Sequence, residues 1–228
     1  MAATRSHEEL IRELGGSLRP VRRLQPPTLR ALMWLGVVLA AALCFALAVD
    51  LRPILRRLEA APDMWLSAVG STLTAVLAAF AAFQLSVPGR SRLWAVVPWP
   101  AAVLWLGASG LGCLRTWLVP GVQVPGLGDS MECFRFIAGF SVPLSAVLLL
   151  MLRRARPLQP GLVAMTAGLA AAAAAATLLW FVHPFDASAI DLAVHIVAVG
   201  LVVLADAALG GRLLARTVPK PSVASWRP

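Results

Sequence analysis

A chain of 228 residues that is 59% hydrophobic and only 14% charged, with a mean hydropathy of +0.80, has too much apolar surface for a soluble domain to hide. It reads as an integral membrane protein. Its net charge of +9 does not indicate a nucleic-acid binder, because the basic residues stand at the ends of apolar runs, where span flanks account for them.

The first predicted element is a short helix in "SHEELIRELGG". Ser6 with Glu9 three residues on forms a capping-box pattern, Glu8 and Glu9 suit a helix N-terminus, and Gly15 and Gly16 supply a stop. Leu10, Ile11 and Leu14 fall on one face, which Leu18 extends if the helix runs through the glycines. So short a helix is marginal alone and needs a surface to fold against. One candidate is the anionic inner leaflet, attracted by Arg19, Arg22 and Arg23. The other is a protein groove with an acidic rim. Glu8, Glu9 and Glu13 disfavour the leaflet, which puts a protein partner ahead. Pro20, Pro26 and Pro27 then make a stiff connector.

Six apolar runs follow: Ala31–Val49, Met64–Leu85, Leu93–Leu114, Phe136–Leu152, Gly161–Val182 and Ala189–Gly210. A hydrocarbon core of about 30 Å takes about 20 apolar residues per helix. The fold class is therefore all-α, a bundle of six transmembrane helices with a short cytoplasmic N-terminal amphipathic arm. Residues 1–30 form the arm, 31–211 the bundle and 212–228 a cytoplasmic tail. Fifteen of the twenty Lys and Arg residues fall on one side when both termini are placed in the cytoplasm, as the positive-inside rule asks. Trp34 and Trp94 then mark the inner boundary, and Trp65, Trp117 and Trp180 the outer one. Pro98, Pro100 and Pro143 predict kinks in the third and fourth spans. The run Ala170–Ala176 predicts close helix packing, and Cys44 reads as a packed mid-span residue. No cleaved signal peptide is expected, since thirty residues precede the first span and Leu43 stands where a lipoprotein cleavage site wants a small residue.

The outward-facing loops carry the remaining chemistry. Cys113 and Cys133 flank "LRTWLVPGVQVPGLGDSME", on the side where disulfides can form. Arg115 and Arg135, two residues from each, offer the positive charge that activates a thiol. His183 ends the fifth span with Asp186 close behind. Asp191 and His195, four apart, share a face of the sixth helix. Ionisable residues at membrane depth are costly and often functional; the alternative is a capped helix end with one Asp–His hydrogen bond. A metal held by His183, Cys133 and Cys113 is chemically feasible, but no spacing demands one. No cofactor is expected. No enzyme is indicated either, since no HExxH, nucleophile elbow or repeated acidic motif is present.

The stretches "LIRELGGSLRPVRRLQPPTLRALMWL", "FQLSVPGRSRLW", "CFRFIAGFSVPLSAVLLLMLRRARPLQPGL" and, more faintly, "HPFD" resemble the NrsF-type membrane anti-sigma factors. Their more specific parts are "PVRRLxPP" and "RRxxPLxPG". The resemblance implies a multi-pass protein of the bacterial inner membrane that negatively regulates an extracytoplasmic-function sigma factor. The arm would hold that sigma factor at the membrane through Leu10, Ile11, Leu14, Leu18, Arg22 and Arg23, with no direct contact to nucleic acid. It also implies two outer-face cysteines that sense oxidants. The first matches Cys133. The second should follow a histidine, where this chain has His183-Pro184. Either Cys113 serves in its place or Cys133 acts alone, with His183, Asp186, Asp191 and His195 in support. The rival reading is a small transporter or channel, with a polar path through Asp191, His195 and Asp206.

Overall fold

The computed structural model describes residues 6–16, 23–60, 62–118, 126–182 and 188–215. Its elements are α1 (His7–Gly16), α2 (Pro27–Ala48), α3 (Arg52–Ala60), α4 (Pro62–Leu85), a 3₁₀ turn (Arg92–Val96), α5 (Trp99–Leu118), α6 (Leu127–Arg153), α7 (Pro160–Leu179), α8 (Ala189–Ala205), a π turn (Asp206–Gly210) and α9 (Gly211–Ala215). No strand occurs among the described residues. Six helical stretches are long and apolar enough to cross a membrane: Pro27–Ala48, Asp63–Leu85, Arg92–Arg115, Gly128–Arg153, Pro160–Leu179 and Ala189–Ala215.

These six run up and down. The arm end of the bundle holds Pro27, Leu85, Arg153, Pro160 and Ala215, and the loop end holds Ala48, Pro62, Leu118, Leu127, Leu179 and Ala189. At the centre lies α7, packed against α4, α6 and α8. Its alanines 170–176 are all buried, and Ala170, Ala171, Ala173 and Ala174 share one core cluster with Ala75, Ala78, Ala79 and Ala82 of α4. Small side chains let these backbones approach closely, which is how helices associate where no water drives them together. Hydroxyl pairs add specificity across the seams: Ser71 with Thr177 at 3.2 Å, and Ser67 with Ser109 at 2.9 Å. Gly70 of α4 lies so close to Trp105 of α5 that a Cβ there would stand 2.7 Å from the Trp105 backbone.

The outside of the bundle is apolar. Leu39, Leu43 and Leu47 of α2, Val142 and Leu150 of α6, and Leu201 and Leu204 of α8 are all more than half exposed.

Four details depart from the sequence reading. The fourth span is longer than Phe136–Leu152, because polar residues at the loop end stay helical. Asp129 accepts from the Gly126 N–H at 2.9 Å, and Glu132 pairs with Arg135 one turn on. The third span is divided rather than kinked. Pro98 is buried between the 3₁₀ turn and α5, and Pro100 occupies the first turn of α5, where its missing N–H costs nothing. Trp34 is no boundary residue: it is fully buried, and its indole N–H donates to the Leu144 carbonyl of α6 at 3.1 Å. Cys44 faces outward, since α2 is peripheral and buries little of its length. The sequence reading also passed over α3, where the Asp50 carboxylate accepts from the Arg52 N–H at 3.0 Å.

The arm helix α1 forms as its sequence asks, with the Ser6 hydroxyl accepting from the Glu8 N–H at 3.3 Å. The helix takes in Gly15 and Gly16 instead of stopping before them. It buries none of its residues: Leu10 is 42% exposed, Ile11 69% and Leu14 57%.

Candidate functional site

At the loop end, α6 and α8 converge on a thiol, a carboxylate and an imidazole. Ser188 starts α8, its hydroxyl accepting from the Asp191 N–H at 3.1 Å. That cap puts Asp191 in the first turn, where the helix dipole favours an anion. One turn later, His195 Nδ1 lies 2.8 Å from the Asp191 carbonyl oxygen and 3.4 Å from its carboxylate. A carbonyl can only accept, so Nδ1 is the donor in that contact.

The third member comes from α6. The Cys133 thiol hydrogen-bonds to the Asp191 carboxylate. Asp191 thus ties the start of α6 to the start of α8, with thiol and imidazole on either side of one carboxylate. Cys133 is 3% exposed and Asp191 5%, enclosed by Ile137, Ala175, Leu179 and Ala198. The Ser130 hydroxyl is buried one turn before Cys133 and has no hydrogen-bond partner among the described residues. The sequence reading had Cys133 beside Arg135 and Asp191 beside His195, and had no means of joining the two. The missing signal was the length of α6, whose first turns carry Cys133 inside the bundle.

The arginines proposed to activate the thiols each pair with a carboxylate. Arg135 pairs with Glu132 at 3.6 Å on an open surface, and Arg115 pairs with Asp63 at 3.3 Å across α5 and α4. No disulfide joins Cys113 to Cys133. Cys113 belongs to α5, which packs on α4 and α8, whereas α6 packs chiefly on α7 and α8. Burial beside a carboxylate is the reverse of the accessible, electropositive setting in which cysteines react fastest. Among the described residues, no three His, Cys, Asp or Glu side chains converge as metal ligands. His183 and Asp186 lie outside the described residues, as do Leu18 and Arg22 of the arm, while Arg23 is exposed just before α2.

Asp206 makes a separate site. Its carboxylate accepts from the Ser145 hydroxyl at 2.7 Å. It is seated against Gly168, where a Cβ would come within 2.9 Å of the Asp206 Cβ. About 22 Å of helix separates it from Asp191, and every residue of the sixth span from Ile196 to Ala205 is apolar. A continuous polar path along this helix is therefore absent.

Between the two ends, α2 and α6 are joined at three levels. Near the loop end, Phe45 meets Phe136 and Phe140, with ring centroids 5.7 and 5.3 Å apart. Trp34 bonds to Leu144 in the middle. At the arm end, the buried Arg30 donates to the Met151 carbonyl and lies 4.8 Å over the Phe83 ring. Met151 lies in the last turn of α6, so Arg30 supplies a donor and a positive charge where that helix has spare carbonyls and a negative dipole end. The sequence reading counted Arg30 as a flanking charge. Its place in the first turn after Pro26 and Pro27 was the available hint that it turns inward.

No curated protein and no solved structure matches the chain. Residues 14–215 match the NrsF family, described as negative regulator of sigma F. The match takes in all six apolar helices, the Cys133–Asp191–His195 cluster and the Arg30–Met151 contact, and begins at the last turns of α1. With most of its length covered, this chain belongs to the NrsF family of negative regulators of sigma F.

Proposed function

We propose that this protein is an anti-sigma factor of the bacterial inner membrane. In this reading it sequesters an extracytoplasmic-function sigma factor through its N-terminal arm and releases it when an oxidant acts at the outer face. The observation that carries the reading is the exposed apolar face of α1, set two prolines ahead of the first apolar helix in a member of this family. The apolar outer surface of the bundle, at helix lengths matched to a bilayer, supports insertion. Both termini lie in the cytoplasm and the Cys133 cluster lies at the periplasmic side.

The stimulus is read at Cys133, and slowly, since the thiol is buried beside a carboxylate. Hydrogen peroxide converts the thiol to a sulfenic acid and leaves as water: one S–H and one O–O bond break, and S–O and O–H bonds form. Asp191, already the thiol's acceptor, stands ready for the proton. The added oxygen brings a polar group among Ile137, Ala175 and Leu179, which biases α6 to shift against α8. Through Phe45, Trp34 and Arg30 that shift reaches α2 and the arm. A two-state repacking of helices is the element biased by such a change. Cys113 is not needed for this sequence of events.

The test is copurification of a sigma factor with membranes carrying the protein, before and after hydrogen peroxide. The sigma factor is expected to sediment with the membranes until the oxidant is added. A sigma factor that stays in the supernatant throughout contradicts the reading.

A further inference from the structure

A long cleft of about 470 Å³ opens between α5 and α8, floored by α4 and α7. Along α7 it extends from Met165 to Trp180, fifteen residues or about 22 Å of helix. Its volume lies within the range of small-molecule sites. Most of the wall is apolar, and Leu106, Trp99 and Ile196 on its edges are about half exposed. The cleft therefore opens sideways, toward whatever surrounds the bundle.

Its ionisable side chains are confined to one end. Asp63, Ser67, Ser109, Asp191 and His195 gather at the loop end, while Ala95, Pro98 and Trp99 close the other. Two carboxylates there, one of them already facing Arg115, beside a bonded pair of hydroxyls, suit a positively charged ligand head that donates hydrogen bonds. Arg115, bound to Asp63, stands beside them as a cation for an adjoining anionic group. A long apolar slot suits a single extended chain better than a compact ring system.

From this shape and charge pattern we infer that the cleft holds one acyl chain of an ethanolamine-headed phospholipid of the surrounding bilayer. The ammonium group meets Asp63 and Asp191, and the phosphate lies toward Arg115. The inference rests on the membrane insertion proposed above. It adds a second input to the same site, because Asp191 both lines the cleft and holds the Cys133 thiol. A lipid head drawn onto Asp191 competes with that thiol, so occupancy and thiol exposure are linked.

The test uses the full-length protein in vesicles of phosphatidylethanolamine and phosphatidylglycerol. Either lipid carries a photoactivatable diazirine on one acyl chain, and the crosslinked peptides are mapped. Phosphatidylethanolamine is expected to label α5 and α8 saturably, several-fold above phosphatidylglycerol. Gly200→Trp, whose side chain has open space before it on the cleft wall, is expected to remove that labelling. Gly36→Trp on the exposed side of α2 is expected to leave it unchanged. Asp63→Asn with Asp191→Asn is expected to erase the preference between the two heads while the chain still labels. Labelling that does not saturate, or spreads equally over α2, or survives Gly200→Trp, overturns the inference. Equal labelling by the anionic lipid in the unmodified protein overturns the head assignment. Resistance of the protein to alkaline extraction from the same vesicles reports insertion by itself, so failure of the lipid site and failure of the membrane reading give different results.

Discussion

The guanidinium of Arg30 donates to the carbonyl of Met151, fastening the start of the first apolar helix to the end of the fourth. The bond sits at the base of the arm, while Cys133 lies eighteen residues back along the same α6, about 27 Å away. One continuous helix thus touches both the candidate sensor and the point where the arm leaves the bundle.

Removing this bond tests that connection. Arg30→Gln keeps a donor but loses the charge, the reach and the contact with Phe83. A charge-assisted hydrogen bond of this kind contributes about 1.5–3 kcal/mol. The variant is expected to unfold at a lower temperature in detergent and to lose induction by oxidant while still repressing. If induction persists at the original level, the signal reaches the arm by another route.

The two cysteines should differ in both accessibility and effect. In solubilised protein, a maleimide is expected to label the half-buried Cys113 before the buried Cys133. Cys133→Ser is expected to abolish oxidant induction of the target genes, and Cys113→Ser to leave it intact. Asp191→Asn removes the charge that organises the cluster and is expected to change the rate of Cys133 labelling. A strain with Cys133→Ser that responds normally to hydrogen peroxide would rule the thiol out as the sensor.

Close packing at Gly70 gives a prediction free of any functional assumption. A methyl group there would stand 2.7 Å from the Trp105 backbone, so α4 and α5 must separate. Gly70→Ala is expected to cost about 1–3 kcal/mol, as overpacking does, measured as a lowered unfolding midpoint. Gly107→Ala in α5, with nothing within 4 Å of its Cβ position, is expected to be neutral or mildly stabilising.

Topology is open to direct measurement. A reporter active only outside the cytoplasm, fused within residues 119–128, is expected to be active, and one fused after Pro228 inactive. An active C-terminal fusion would require an odd number of spans and would move the arm and tail to opposite sides.

Much of the fold was legible in the sequence, for a physical reason. Runs of about twenty apolar residues have few alternatives to a spanning helix, and the alanines of α7 declared a close-packed centre. Helix ends were less legible, because a polar turn such as Asp129–Glu132 can continue a helix or begin a loop, and periodicity does not decide. The site was half legible. Asp191 and His195, four apart on one helix, could be paired on sequence alone. Cys133–Asp191 and Arg30–Met151 join residues 58 and 121 positions apart, and nothing local encodes such contacts. Trp34 misled for a related reason: its indole suits a membrane boundary as well as a buried carbonyl, and only tertiary packing chose between them.

In the proposed reading, α1 is the surface that holds the sigma factor. Leu10, Ile11 and Leu14 are exposed on one helix, and each would contribute roughly 1.5–3 kcal/mol if fully buried by a partner. The most direct measurement is capture of the purified sigma factor by vesicles bearing either the full chain, the Leu10→Asp, Leu14→Asp double variant, or a chain beginning at Pro20. The full chain is expected to bind it, the double variant to lose most of that binding, and the shortened chain to bind none while remaining in the bilayer. Undiminished capture by the chain beginning at Pro20 would contradict the account.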